Sequence, residues 1–243
     1  MDAADAVVHL AGAGIGDKRW TDDYKQLILR SRVDGTTTVA DAIARCTDAP
    51  KVLLSSSAVG FYGDTGDDAV DESAPNGDGF LADVVQQWET ATAAAEAAGV
   101  RVVHARSGVV LSAEGGALGK VLPLFKLGLG GRLGTGKQWM SWIAIADHIM
   151  ALRFLLDRAD LSGAVNVTAP EPVRNRDYTK AIGRAVHRPT LAIVPATALR
   201  TALGGFADEG VLVSQRVIPT RLEDAGFQFT YADIDAALTA IVG

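Results

Sequence analysis

Over the first hundred residues, short apolar runs alternate with longer stretches of helical periodicity. The run Ala6–Ala11 reads as a buried strand and passes into Gly12, Ala13, Gly14, Ile15 and Gly16. A long helix is predicted from about Thr21 to Cys46. Thr21 suits its N-cap, and Asp22 and Asp23 suit the first turn, where they complement the helix dipole. A second apolar run, Lys51–Ser56, ends in hydroxyls. The segment Gly63–Gly79 is rich in Asp, Gly and Pro and reads as a loop. At 17 residues it has a length often associated with function. A helix over about Leu81–Ala98, a capping Gly99 and the strand Val100–Arg106 follow. Apolar strands separated by helices predict a parallel sheet covered on both faces.

The pattern changes beyond Leu111. Gly115, Gly116, Gly119, Gly128, Gly130, Gly131, Gly134 and Gly136 punctuate a helix and a loop. The strand-like segment Trp139–Ile145 leads into a helix starting near Asp147. The strand Ala164–Thr168 precedes a turn over Ala169–Pro172 and a helix over Arg176–Val186. From Ile193 on, short helices are broken by Gly204, Gly205, Pro219 and Gly226. The expected organisation is a sheet domain over 1–111 and a smaller α+β lobe over 112–243, within which 193–243 forms a small C-terminal domain. Later segments are free to return to the sheet.

Composition narrows the class. The chain has 243 residues, 48% of them hydrophobic, and a net charge of −6, which leaves no basic footprint for nucleic acid. No apolar run reaches the ~20 residues that span a bilayer. The acidic start argues against a secretory signal, and the single Cys46 fits a reducing cytosol, so the expected location is cytoplasmic. The four histidines include none with a cysteine partner at ligand spacing, and no metal site is expected.

Ligands of open parallel sheets sit beyond the carboxyl ends of the strands. Ala6–Ala11 and Lys51–Ser56 therefore aim Leu10, Ala11, Gly12, Ser55 and Ser56 at one crevice. Small residues admit a flat cofactor and hydroxyls suit a ribose or a carbonyl. Equally, the glycines turn the chain and the serines satisfy loose backbone groups.

Several segments carry a resemblance. His9–Gly12, Ser55–Gly63 and Asp71–Pro75 resemble segments of extended short-chain dehydrogenases. Arg106–Leu111, Gly115–Gly116, Gly130–Gly134, Gln138–Trp142, Thr168–Val173, Gln215–Val217, Pro219 and Ala225–Phe227 resemble one subgroup. That subgroup is the YfcH-type branch of the NAD-dependent epimerase/dehydratase family, with a C-terminal domain of unknown function. The resemblance implies a Rossmann-like, doubly wound parallel sheet and NADP or NAD as the cofactor of the full-length family. It implies a small polar substrate, with a nucleotide sugar as one candidate. By the same comparison Ala6–Ala11 corresponds to the family's fourth strand. Two βαβ repeats, about 60 residues with the phosphate-binding glycine turn, are then expected to be missing from the chain as given. The turn at Gly12–Gly16 reads as a nicotinamide-side turn rather than a phosphate cradle. An uncovered flank of the first strand predicts poor stability, an incomplete product or homo-oligomers through that sheet edge.

The resemblance also assigns chemistry. The family's serine falls at Ser56, its tyrosine at Phe80, its lysine at Val84 and its asparagine at Arg32. Phenylalanine transfers no proton, so the usual dyad cannot operate at these positions. Tyr62, Glu89, Asp71 and Glu72 are the candidate substitutes, Tyr62 foremost because it follows the serine run. Tyr62 otherwise lines the pocket, and Glu89 is otherwise a solvated carboxylate. Arg19 and Trp20 could hold an anionic substrate by forked hydrogen bonds and stacking, or form a surface loop anchored by the tryptophan. Phe80, Gln138, Trp139 and Trp142 are expected on the substrate side. Arg106 is expected to touch the cofactor or to pair with a carboxylate, and His104 to be a satisfied core histidine. The functional alternatives are an NAD(P)-linked epimerase or oxidoreductase, and a non-catalytic nucleotide-responsive or structural protein on the same fold.

Overall fold

The computed structural model describes residues 2–242. Its first half runs β1 (Ala6–His9), α1 (Asp22–Ala44), β2 (Val52–Ala58), β3 (Ala69–Val70), α2 (Phe80–Thr90), α3 (Ala93–Ala97) and β4 (Arg101–Ser107). Next come β5 (Val109–Leu111), α4 (Gly116–Lys126), β6 (Gly131–Leu133), β7 (Trp139–Met140), β8 (Trp142–Ala144), α5 (Ile145–Asp157) and β9 (Gly163–Val167). The chain closes with β10 (Val173–Arg174), α6 (Asn175–Ala185), β11 (Ala192–Val194), α7 (Ala196–Leu203), β12 (Arg216–Val217), α8 (Thr220–Asp224) and α9 (Ile234–Val242).

A parallel sheet ordered β1-β2-β4-β9 forms the centre. Strands β2 and β4 are buried on both faces, which is why they read as unbroken apolar runs, whereas β1, expected to be buried, is largely exposed up to His9. On one face Leu53 and Val102 pack against Ala40 and Ile43 of α1 and Ala95 of α3. On the other, Leu54, Val103 and Val165 pack against Ala151 and Leu155 of α5. The last strand comes from beyond residue 112, so α5 and β9 return to the sheet and the division of the core does not follow the division of the chain. The outer edge of β1 pairs with no strand among the described residues.

A second core joins Leu118, Leu122 and Phe125 of α4 to Trp142, to Ile182 of α6 and to Leu238 of α9. Two polar latches tie it to the sheet. The buried Asp147 carboxylate, in the first turn of α5, accepts from the backbone N–H groups of Thr230 and Tyr231. The Arg101 guanidinium of β4 donates to the carbonyls of Leu155 and Leu156, which the carboxyl end of α5 leaves unpaired, and to that of Leu161 in the loop beyond.

The sequence expectations need three adjustments. Thr21 does cap α1, its hydroxyl accepting from the Tyr24 N–H at 3.2 Å. The helix expected over Leu81–Ala98 is broken at Ala91–Thr92, because Thr92 Oγ1 bonds both the Glu89 carbonyl and His104 Nε2. The first strand stops at His9, short of Ala11. The long loop Gly63–Gly79 is stitched to the tail: β3 pairs with β12, and Gln215 Nε2 donates to the carbonyls of Val59 and Gly63. Glu72 accepts from the N–H groups of Asn166 and Arg221.

Candidate functional site

His9 and Ser55 are paired in register, so β1 ends beside Ser55 while β2 runs on to Ala58. Leu10, 56% exposed, and the exposed Ala11 and Gly12 form an open backbone rim. The turn behind it is fastened to α1. The Tyr24 hydroxyl donates to the Gly14 carbonyl, Ser31 Oγ accepts from the Ala13 N–H, and Arg32 donates to the Ala13 carbonyl at 3.0 Å. Arg32 is itself stacked on Trp88, so the position where the family resemblance expects asparagine holds a buttress. A Cβ at Gly14 would lie 2.0 Å from the Asp17 carboxylate, and one at Gly16 would meet the Phe206 ring at 3.0 Å. With a carboxylate and a ring filling those spaces, Gly12–Gly16 is no anion cradle.

The three serines divide by strand alternation. Ser55 and Ser57 are buried on the α2 side, and Ser57 Oγ donates to Glu89 Oε1 at 2.6 Å. Ser56 points to the opposite face, is half-buried, and its hydroxyl bonds no protein group among the described residues. Ser55, expected at the cofactor, is thus packed away, whereas Ser56 stays available. His9 Nε2 is a buried ring nitrogen with no hydrogen-bond partner, its ring packed against Gly35 of α1. Burial lowers its pKa and keeps the ring neutral.

Beyond the rim lies a buried polar network of one ion pair, one phenol and one amide. Arg106 forks Glu89 with two hydrogen bonds of 2.8 Å, and the pair's side chains are 6% and 12% exposed. Arg106 also donates to the Tyr62 hydroxyl at 3.0 Å, and that hydroxyl donates to Asn166 Oδ1 at 2.7 Å. The Phe61 ring covers the guanidinium at 3.5 Å. Burial alone would raise the Glu89 carboxyl, but the hydrogen bonds and charge of Arg106, with Ser57, hold it below the ordinary range. Burial would likewise lower Arg106, and Glu89 raises it instead. The expectation of a solvated Glu89 is therefore corrected, and so is that of Arg106 as a cofactor contact: its donors face Glu89 and Tyr62. Tyr62, the foremost substitute acid, has its hydroxyl committed to Asn166 and Arg106, and burial raises its pKa. The sequence offered one clue to this network, since an arginine inside an apolar strand has to find a carboxylate.

Trp20 and Phe80 also move from site to core. Trp20 is buried, donates from Nε1 to the Ile15 carbonyl at 2.8 Å, and meets Phe80 edge-on at 5.2 Å. Val84 is buried in the same apolar cluster, and Lys25 Nζ lies 4.9 Å above the Phe80 ring. Arg19 stays exposed, its stem beside Gly204. The positions matched to the dyad thus form an aromatic prop rather than a proton path.

Gln138 and Trp139 do reach a cavity, of about 180 Å³, between α4, α6 and the tail. Its walls are mostly apolar, with Val121, Phe125, Leu133 and Met140 among them. Gln138 Nε2 donates to the Leu133 carbonyl at 3.2 Å. Trp139 is held from outside between Arg174 and Arg216, at 4.5 and 4.6 Å, and donates from Nε1 to Asp67 of the long loop at 3.0 Å. Trp142, expected beside them, is fully buried with Nε1 on the Glu171 carbonyl. The tail closes the cavity through a single π turn, Ala207–Val211, whose Glu209 accepts from the Leu81 N–H at the start of α2. Nothing local in the sequence announces that contact.

Comparison with known proteins agrees with this architecture. Residues 1–168 match the model of the NAD dependent epimerase/dehydratase family, and residues 194–241 match a domain of unknown function. An epimerase family protein of Mycobacterium tuberculosis is 50% identical over 96% of this chain and 77% of its own length. One from Staphylococcus aureus is 39% identical over 98% of this chain and 79% of its own. The crystal structure of human epimerase family protein SDR39U1 (isoform 2), solved with NADPH, matches with a TM-score of 0.94 and 32% identity. That match covers 100% of this chain and 83% of the human one. A nucleoside-diphosphate sugar epimerase from Corynebacterium glutamicum matches with a TM-score of 0.78 and 39% identity, over 100% of this chain and 47% of its own.

Proposed function

The chain belongs to the NAD dependent epimerase/dehydratase family, and from that premise we propose that it is an NAD(P)-linked epimerase or oxidoreductase whose nicotinamide half rests on the rim Leu10–Gly12. The observation that carries this reading is the exposed backbone Leu10–Gly12, where β1 ends at His9 beside Ser55 of β2. A flat ring fits against exposed backbone that carries only the small residues Ala11 and Gly12 beyond Leu10. When bound, the cofactor supplies the hydride acceptor or donor; the chain's own part is to hold it and exclude water. Ser56, half-buried with a hydroxyl unbonded among the described residues, supports a bond to a substrate oxygen, and the apolar cavity bounded by Gln138 and Trp139 supports a substrate side there. A nucleotide sugar is one substrate the resemblance implies.

A second reading rests on a separate observation. With Tyr62 locked to Arg106 and Asn166, and Phe80 and Val84 in an apolar cluster, a nucleotide-responsive protein without turnover fits the same fold.

Equilibrium titration with NADPH and with reduced nicotinamide mononucleotide, followed by nicotinamide fluorescence, tests the placement. Both should bind with similar affinity, because Gly12–Gly16 supplies no phosphate cradle. Binding of neither would overturn the rim as a cofactor site. An NADPH affinity higher by roughly a hundredfold would mean that the phosphates have a site of their own.

A further inference from the structure

We propose that the cavity between α4, α6 and the π turn takes a compact, uncharged molecule of about one six-membered ring carrying a carbonyl or hydroxyl oxygen, and that Tyr178 recognises this oxygen. This rests on the reading of the cavity as the substrate side, and it narrows the substrate class.

Size comes first. The cavity measures about 180 Å³, and an engineered apolar cavity of about 150 Å³ in another protein holds benzene. One substituted ring fits; a nucleotide does not.

Charge is the second constraint. No Lys, Arg, Asp or Glu side chain lines the cavity. An anion moved there from water would lose its hydration with no cation to replace it, a penalty of several kcal/mol in order of magnitude. The nearest arginines face elsewhere, Arg174 and Arg216 stacking on the outside of Trp139.

Polar groups give the third. Tyr178 borders the cavity, is 8% exposed, and its hydroxyl bonds no protein group among the described residues. Thr179, 3% exposed, borders it too and its hydroxyl is likewise without a partner. By contrast, Ser141 Oγ donates to the Gln215 carbonyl and accepts from the Val217 N–H. Both residues are mostly buried while their hydroxyl oxygens stay accessible and unbonded, so on the wall of an apolar space they are the groups free to meet a ligand oxygen. Burial raises the Tyr178 phenol, so it remains a neutral donor, suited to an oxygen that accepts without a charge. The tail contributes Val211 and Val213 to the wall, which assigns the C-terminal domain the task of completing this site.

Calorimetry and ligand-observed NMR with three probes test it: cyclohexanone, toluene as the ring without an oxygen, and UDP-glucose. Cyclohexanone and toluene should both bind, and Val211→Trp should exclude both. Tyr178→Phe should weaken cyclohexanone about five- to tenfold, the worth of one buried hydrogen bond, and leave toluene unchanged. Three results would overturn the proposal: no binding of either ring, equal response of both rings to Tyr178→Phe, or saturable UDP-glucose binding that Val211→Trp abolishes. The mononucleotide titration is the separate control. Its failure removes the cofactor reading while ring binding stands, and its success beside failed ring binding removes this inference alone.

Discussion

Arg106→Met provides the sharpest test of the buried network. The substitution keeps most of the side chain's length and removes its charge, leaving Glu89 without the two 2.8 Å hydrogen bonds it now accepts. An exposed ion pair would be worth only about 0–1 kcal/mol. Here the side chains are 6% and 12% exposed, so the cost is set by stranding a carboxylate, about 3–5 kcal/mol. That is a large part of the roughly 5–15 kcal/mol that holds a domain together. With a urea dependence of about 1–3 kcal/mol per molar, the midpoint should fall by roughly 1–5 M. Glu89→Gln combined with Arg106→Met should recover much of the loss, since no buried charge remains and the Ser57 hydroxyl keeps an acceptor.

The pH dependence gives an independent sign. In the native chain the Glu89 pKa is depressed, so its stabilisation is present above the ordinary carboxylate range and is lost as pH falls through the lowered value. Without Arg106, burial dominates and the carboxyl is raised. The destabilisation is then largest at neutral pH and is relieved as pH falls through the raised value. Urea unfolding followed by far-UV circular dichroism between neutral pH and about pH 5 should therefore narrow the gap between variant and parent. A variant within about 1 kcal/mol of the parent, or a gap that stays constant with pH, would refute the reasoning.

Three further outcomes follow from other parts of the structure. Tyr62→Phe strands Asn166 Oδ1 and one Arg106 donor, so it should cost about 1–3 kcal/mol in denaturant unfolding and leave mononucleotide binding intact. Lost turnover with unchanged stability would instead restore Tyr62 as an acid. Gly77→Ala places a Cβ 2.2 Å from the Tyr62 carbonyl oxygen and should lower thermal stability by about 1–3 kcal/mol or more; a neutral result would mean the loop is free to shift. We also expect homo-oligomers through the outer edge of β1, and a lysine at Val8, which is 45% exposed, should disperse them in sedimentation experiments. A parent mass that does not change with concentration would count against that edge.

The parallel sheet, the capped first helix and the crevice between the first two strands were legible in the chain because each depends on local patterning. A strand buried on both faces has to be apolar throughout, as Val52–Leu54 and Val102–Val103 are, and a long helix needs its Thr21 cap. The family could be read from short segments for the same reason. What the chain alone left open were the positions where function depends on partners distant in sequence. Glu89 reads as a surface carboxylate until Arg106 and Ser57 are brought to it, and Trp20 reads as a stacking platform until Phe80 and Phe206 enclose it. Tyr178 belongs to an amphipathic helix like any other, and becomes a candidate recognition group only because α4 and the tail close an apolar space around it. Burial decides whether a polar side chain is bonded, idle or charged, and burial is a property of the assembled fold.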